Sequence, residues 1–293
     1  MSRPVVVAVD GSEASMRAAE WAAREAARRS APLRIVSAPG MPPRMRAHQG
    51  SATTVANALR GIAARALGDA VDRVGEVASA LCVNTDLLAG TPAVAVAESG
   101  AGAQLLVVGA RGAGGFAALV LGSVSRFAAT HAPCPVVVVY EETGAVHREI
   151  VVGVRDPAAA DAALGFAFEE AALRGANLTA VHAIPWFAPG APAVSPIAGS
   201  LALSAAAAAT EADAREHLAE VMSAWRQKYP RVPVAEDVVR CHPAHLLASL
   251  SGRADLLVIG RHGTAGAPDG SSIQHAVLGH AHGPVAVVPA LPA

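Results

Sequence analysis

Short runs of consecutive apolar residues punctuate this chain, and between them apolar residues return every three or four positions. Val5 to Val9 is the first run, and Glu13 to Arg29 follows with helical periodicity behind Ser12, a good N-cap. Leu33 to Val36 reads as strand, and Thr53 to Leu67 places apolar residues at 55, 59, 62, 63 and 67, one face of a helix. The pattern then predicts a strand over Ala78 to Val83, a helix over Ala93 to Glu98, a strand over Leu105 to Val108, a helix over Ser123 to Thr130 and a strand over Val136 to Val139. It starts again with strand Val151 to Val154 and helix Ala158 to Arg174, then strand Leu178 to Ile184 and helix Ala205 to Tyr229. Strand Val234 to Val239, helix Ala244 to Leu250, strand Leu256 to Ile259, helix Ile273 to Ala281 and strand Val285 to Val288 complete it. Continuous rather than alternating apolar strands, separated by helices, specify parallel sheets covered on both faces.

The halves also repeat in sequence. VVVAVD at 5 to 10 matches IVVGVR at 150 to 155, an offset of 145. GTPAVAVAESGAGAQLLVVGARG at 90 to 112 matches CHPAHLLASLSGRADLLVIGRHG at 241 to 263 at 151, and THAPCPVVVV at 130 to 139 matches GHAHGPVAVV at 279 to 288 at 149. Three blocks in one order with drifting offsets are the mark of tandem duplication. The expected architecture is two open five-stranded α/β domains of Rossmann type, residues 1–143 and 144–293, joined near Glu141 to Gly144.

Composition narrows the function. Of 293 residues, 53% are apolar, 16% charged and 3% aromatic, so Val, Leu, Ile and Ala must fill the cores. Twenty-three basic against 24 acidic residues, with Lys228 the only lysine, supply no basic field for a nucleic acid backbone. Cys82, Cys134 and Cys241 form no CxxC pair, the pattern of a reducing cytoplasm. The N-terminal apolar run is too short for a signal peptide, and the alanine-rich stretch Leu201 to Ala209 is too short to span a bilayer, so no membrane role is expected.

The sharpest chemical signal follows the strand ending at Val108. Gly109, Ala110, Arg111 and Gly112 are followed by nine residues and then Gly122, Ser123, Val124 and Ser125 at a helix head. Glycines admit a ligand close to the backbone, and free amides at the helix head, with the hydroxyls of Ser123 and Ser125, make a donor-rich cup for phosphate oxygens. Asp10 ends the first strand, where the crevice of an open sheet lies, and its carboxylate can accept hydrogen bonds from ribose hydroxyls or a base amine. Two long proline-containing connections, Ser37 to Ala52 and Pro185 to Ser200, border the same end of each sheet. Trp186 and Phe187 in the second read either as apolar cover or as ligand contacts.

These features resemble the universal stress protein family in its tandem form. The resemblance rests on VAVDGS at Val7 to Ser12, the segment Ala103 to Gly112, the G-x2-G-x9-G-S spacing at Gly109, Gly112, Gly122 and Ser123, and HAPCPVVVV at His131 to Val139. It implies a cytoplasmic, commonly dimeric, stress-associated protein that binds ATP, with or without magnesium, or a related adenine nucleotide, and has no strong catalytic activity. By position, Asp10 is implied to contact the adenosine, with Ala8 on the same wall, and Ala38 to read the adenine through its backbone. Val108 and Gly109 would flank the adenosine, Gly112 would approach the phosphates, and Gly122, Ser123, Val124 and Ser125 would hold them. Arg111 either pairs with phosphate or faces solvent. The family also pairs the closing strands of neighbouring domains, here Pro135 to Val139 and Pro284 to Val288, leaving helical or loop surfaces for a homodimer.

The second half departs from this pattern. Arg155 stands at the position of Asp10, Asp156 is shifted by one, and Pro157 lacks an amide. Gly260 and Gly263 remain, but aligning Ser271 and Ser272, or Gly270 and Ser271, with Gly122 and Ser123 leaves a spacer of seven or six residues. An anion cup of Gly260, Gly263, Ser271, Ser272 and helix amides is the weaker candidate here. His242, His245, His262, His275, His280 and His282 lack the spacing of a zinc site. Three functions are therefore open: an ATP-binding regulatory protein, a slow ATPase, and a scaffold that binds no nucleotide.

Overall fold

The structure is a computed structural model describing residues 2–40, 49–112, 121–140, 146–156, 160–184, 200–261 and 268–290, with the side chains of 49–52, 200–209 and 268–272 left aside. The expectations placed on Trp186, Phe187, His262 and Gly263 fall outside those residues. The chain divides into two compact units, Met1–Ala145 with Leu278–Pro289, and Val146–Val277 with Ala290–Ala293.

In the first unit the elements are β1 (Val5–Ala8), α1 (Glu13–Arg28), β2 (Leu33–Ser37), α2 (Gln49–Val77), β3 (Val83–Leu87), α3 (Pro92–Ser99), β4 (Leu105–Gly109), α4 (Ser123–His131) and β5 (Val136–Val139). The strands run β3-β2-β1-β4-β5, all parallel, with Val5 opposite both Leu33 and Leu105. β4 and β5 are buried at every position, as unbroken Leu and Val runs require when helices cover both faces. Alanines at 18, 19, 22, 23 and 26 let α1 lie close on the sheet.

The second unit repeats the plan with β6 (Glu149–Gly153), α5 (Asp161–Arg174), β7 (Asn177–Ile184), α6 (Ser200–Lys228), β8 (Val234–Arg240), α7 (Pro243–Ser251), β9 (Leu256–Arg261) and α8, which spans Pro268–His280 and ends in the first unit. Its parallel order is β9-β6-β7-β8. Phe168, Trp225 and Tyr229 stack where α5 meets α6, and Gly165 admits the indole: a Cβ there would lie 2.8 Å from Trp225. The closing strand β10 (Val285–Pro289) belongs to the first unit and pairs antiparallel with β5, Val285 against Val138 and Val287 against Val136. The pairing of closing strands expected from the sequence is therefore present. It gives the first unit a sixth strand and makes its sheet mixed.

Two element expectations are corrected. The third strand is Val83–Leu87, not Ala78 to Val83, because α2 continues through buried Ala66, Ala70 and Val74 to Val77. β3 is an exposed edge strand that carries Asn84, Thr85 and Asp86, and an edge tolerates polar residues that a buried run does not. Helix α8 starts at Pro268 rather than Ile273, since proline's fixed φ suits a first helical position.

Buried polar pairs repeat with the fold. Glu25 is fully buried and accepts from Arg29 Nε at 2.6 Å, and Glu170 with Arg174 recurs 145 residues on. Each pair joins neighbouring turns near its helix C-terminus, where a cation also favours the exposed carbonyls.

Candidate functional site

The C-terminal ends of β1 and β4 in the first unit carry the residues the sequence singled out. Backbone pairing fixes them: Val9 N–H donates to Val36 O at 2.8 Å and Ala110 N–H to Val139 O at 2.8 Å, so both of these adjacent parallel strands release their chains at the same C-terminal end of the sheet. Asp10 emerges there, exposed, followed by Gly11 at φ +85°, a left-handed turn that favours glycine. The turn brings Ser12 back onto Asp10. Asp10 Oδ1 accepts from Ser12 N–H at 3.0 Å and from Ser12 Oγ–H at 2.6 Å, while Ser12 Oγ accepts from Ser15 N–H at 3.2 Å and caps α1. Asp10's own N–H donates to Ser15 Oγ at 3.2 Å.

The glycine loop meets this carboxylate. A Cβ built on Gly112 would lie 2.5 Å from Asp10 Oδ2, so the two strand ends are in contact through the missing side chain. Gly122 N–H donates to Ala110 O at 2.8 Å, which brings the head of α4 back to the end of β4. Gly122 is the N-cap of α4 and supplies no side-chain cap, and the first intrahelical bond is Arg126 N–H to Gly122 O. The amides of Ser123, Val124 and Ser125 thus precede the helix's own bonding pattern and have no intrahelical partner. Among the described residues a Cβ on Gly122 would meet only ordinary contacts, the nearest 3.5 Å away at Ala110 O.

Several expected residues take other roles. Ser125 was expected to offer its hydroxyl to the cup. That hydroxyl is buried and donates to Gly109 O at 2.6 Å, leaving Ser125 to contribute through its amide. The missing side chain of Gly109 is explained by packing: a Cβ would lie 2.7 Å from Ala14 O, against the backbone of α1. Val108 is buried within β4, Ala8 and Ala38 are half-buried at the ends of β1 and β2, and Ser123 and Arg111 are exposed at the rim. Beside Ala38, at the ends of β2 and β3, opens a groove of about 350 Å³ lined by Pro39, Leu59, Arg60, Leu87, Leu88 and Gly90. Sequence reasoning missed this groove, because its walls come from the edge strand that hydrophobicity misplaced. It also read Ser12 only as a helix cap. The spacing Asp-x-Ser carried the further signal, since an aspartate commonly accepts from the amide two residues on.

In the second unit Val154 N–H donates to Val181 O at 2.8 Å, as Val9 does to Val36, and Arg155 and Asp156 follow, both exposed. His182, at the position of Ser37, sets its Nδ1 2.7 Å from Val154 O. Gly260 lies near the end of β9, half-buried. Ser271 and Ser272 are the fourth and fifth residues of α8, not its head, so the amide of Ser272 reaches Pro268 O in the helical pattern instead of facing outward. Among the described residues no three His, Cys, Asp or Glu side chains converge as a metal site would need, and no helix is long and apolar enough to cross a membrane. Cys82 is exposed, Cys134 buried and Cys241 half-buried.

The sequence profile of the Universal stress protein family matches residues 1–140 and again 147–289. Universal stress protein Rv2005c of Mycobacterium tuberculosis is 33% identical over 302 residues, covering 98% of this chain and 99% of its own. Universal stress protein Mb2019 of Mycobacterium bovis is 32% identical over 315 residues, covering 99% and 97%. The crystal structure of a universal stress protein from Archaeoglobus fulgidus DSM 4304 is similar with a TM-score of 0.70 at 17% identity, covering 99% of this chain and 97% of that one, a likeness of fold. With two α/β repeats, each matched by the same profile, the chain belongs to the universal stress protein family in its tandem two-domain form and shares that family's general role in the stress response.

Proposed function

We propose that the first repeat binds an adenine nucleotide, ATP foremost, and that the protein acts in the stress response by binding rather than by turnover. The observation that carries this reading is the meeting of Asp10 with Gly112 beside the uncapped head of α4. A carboxylate suited to ribose hydroxyls and the first-turn amides of a helix suited to phosphate oxygens flank the same short stretch, Ala110 to Gly112. The apolar groove beside Ala38 offers a slot of the right character for a base.

Binding without turnover is favoured by how Asp10 is used. Its Oδ1 already accepts two donors from Ser12, which suits a fixed acceptor better than a base that must take and release a proton. Magnesium would arrive with ATP and be held chiefly by the phosphates, as this ion commonly is. The second repeat is the weaker site, with Arg155 in place of the carboxylate and Ser272 drawn into α8. A cytoplasmic homodimer closes the proposal, since twofold dimers are the commonest assembly. Its check is light scattering, where a mass staying near 29.4 kDa at micromolar concentrations contradicts the dimer.

The test of the binding reading is the mass of whatever small molecule leaves the purified protein on denaturation, with added ATP titrated by calorimetry in parallel. Release of an adenine nucleotide, or saturable ATP binding, with no phosphate release over hours, is expected. Absence of both binding signals favours the nucleotide-free scaffold, and steady phosphate release favours the slow ATPase.

A further inference from the structure

The duplicated chain contains its own control. A polar group that the fold needs should recur in both repeats, whereas one that serves a ligand need recur only where that ligand binds. Glu25 with Arg29 recurs as Glu170 with Arg174. Ser99 and Ser251, the last residues of α3 and α7 and one position out of register at the offset of 151, are both buried, and each donates its hydroxyl to the carbonyl three residues back, Val96 O and Ala248 O, at 2.7 Å. These are fold features.

The cluster of Asp10, Ser12 and Ser15 behaves otherwise. At the offset of 145 that carries Glu25 onto Glu170, its members fall on Arg155, Pro157 and Ala160. The carboxylate and both hydroxyls are lost together, and proline also removes the amide that Ser12 supplies. Helix α5 starts at Asp161 behind Ala160, which makes no side-chain cap bond, and the second repeat still folds to the same plan. The cluster is therefore dispensable to the fold.

We infer that Ser12 is a positioning residue for Asp10, holding the orientation in which its carboxylate presents one oxygen to Gly112. The inference rests on the reading that the first repeat binds an adenine nucleotide through Asp10. Ser12 places two donors, Oγ–H at 2.6 Å and N–H at 3.0 Å, on the single oxygen Oδ1. This sets the plane of the carboxylate and leaves Oδ2 as the oxygen turned to Gly112. Ser15 steadies the arrangement from below. It is buried, accepts the N–H of Asp10 at 3.2 Å and donates its own hydroxyl to Ser12 O at 2.8 Å. A ligand then meets a carboxylate already oriented and avoids the cost of ordering it.

Three variants separate positioning from helix capping. Ser12→Thr keeps the cap and the hydroxyl; Ser12→Gly keeps most of the cap and loses the hydroxyl; Ser12→Ala loses both. ATP affinity by calorimetry should stay within about twofold in Ser12→Thr and fall about 5- to 20-fold in both Ser12→Gly and Ser12→Ala, a smaller loss than that of a direct hydrogen bond to a charged group because Ser12 acts through Asp10. The thermal midpoint should drop in Ser12→Ala but stay close to wild type in Ser12→Gly. In an Asp10→Ala background, Ser12→Ala should weaken binding by less than about twofold, because a residue acting through Asp10 has nothing left to act on. Wild-type affinity in Ser12→Gly, or an equal loss from Ser12→Ala with and without Asp10, overturns the inference while leaving nucleotide binding intact. Failure of the wild type to bind any adenine nucleotide overturns the binding reading and this inference with it.

Discussion

Replacing Gly112 with alanine should damage the site and spare the fold. The new Cβ would lie 2.5 Å from Asp10 Oδ2, where ordinary contact begins near 3.4 Å, so about 0.9 Å must be found, the difference of those two distances. The backbone of Gly112 lies outside the left-handed region, so alanine brings no conformational strain of its own. The movable partner is the carboxylate, yet its Oδ1 is held by Ser12 at 2.6 and 3.0 Å. Turning Oδ2 away breaks or lengthens those bonds. A hydrogen bond to a charged group contributes about 1.5 to 3 kcal/mol, and because Asp10 is exposed, water replaces part of it, which favours the lower end. ATP affinity should fall about tenfold. Calorimetric titration measures that loss, and a thermal melt should move by no more than a few degrees because no core residue is touched. In an Asp10→Ala background the added methyl has no carboxylate to meet and should cost little further. Wild-type affinity in Gly112→Ala, or an equal loss with and without Asp10, would refute the reasoning.

Other perturbations should act on the fold. Gly109→Ala places a Cβ 2.7 Å from Ala14 O and 2.9 Å from Ala14 C, both backbone, and should lower stability by about 1 to 3 kcal/mol in denaturant titration; unchanged stability would show that α1 lies farther from β4. Glu25→Ala leaves Arg29, 4% exposed, without its carboxylate and should cost about 3 to 5 kcal/mol, with Glu170→Ala behaving alike in the second unit. Tyr140 donates to Leu278 O at 2.5 Å, and burial raises its pKa above the ordinary tyrosine value. The folded state therefore keeps a proton that the unfolded chain releases, so this group's stability is present below about pH 10 and is lost as pH rises beyond it. Tyr140→Phe should flatten that alkaline decline in melts, and an equally steep decline would count against it.

Much of the fold was legible because buried parallel strands leave a plain trace. Val136–Val139 and Leu105–Gly109 are unbroken apolar runs since both faces of the sheet are covered. The edge strand Val83–Leu87 left no such trace: among the described residues only β2 pairs with it, so Asn84 and Asp86 are tolerated on its exposed positions, and the adjacent alanines belong to the turn that follows α2. At the site, the spacing of Gly109, Gly112, Gly122 and Ser123 located the loop and helix head, but not the division of labour among them. Gly109 and Ser125 serve packing and the end of β4, facts that depend on where α1 and Gly109 O lie in space. Ser12 was visible as a cap because capping is local. Its second bond, to Asp10, depends on the left-handed turn at Gly11.

The central claim is that the first repeat binds the nucleotide through Asp10 and the second does not depend on Arg155 for it. Calorimetric titration of ATP into the wild type, Asp10→Ala and Arg155→Ala tests it most directly. Asp10→Ala should weaken binding by about 10- to 150-fold, the loss of one charged hydrogen-bonding group, while Arg155→Ala leaves the high-affinity phase as it is in the wild type. Unchanged high-affinity binding in Asp10→Ala, together with its loss in Arg155→Ala, would contradict the account.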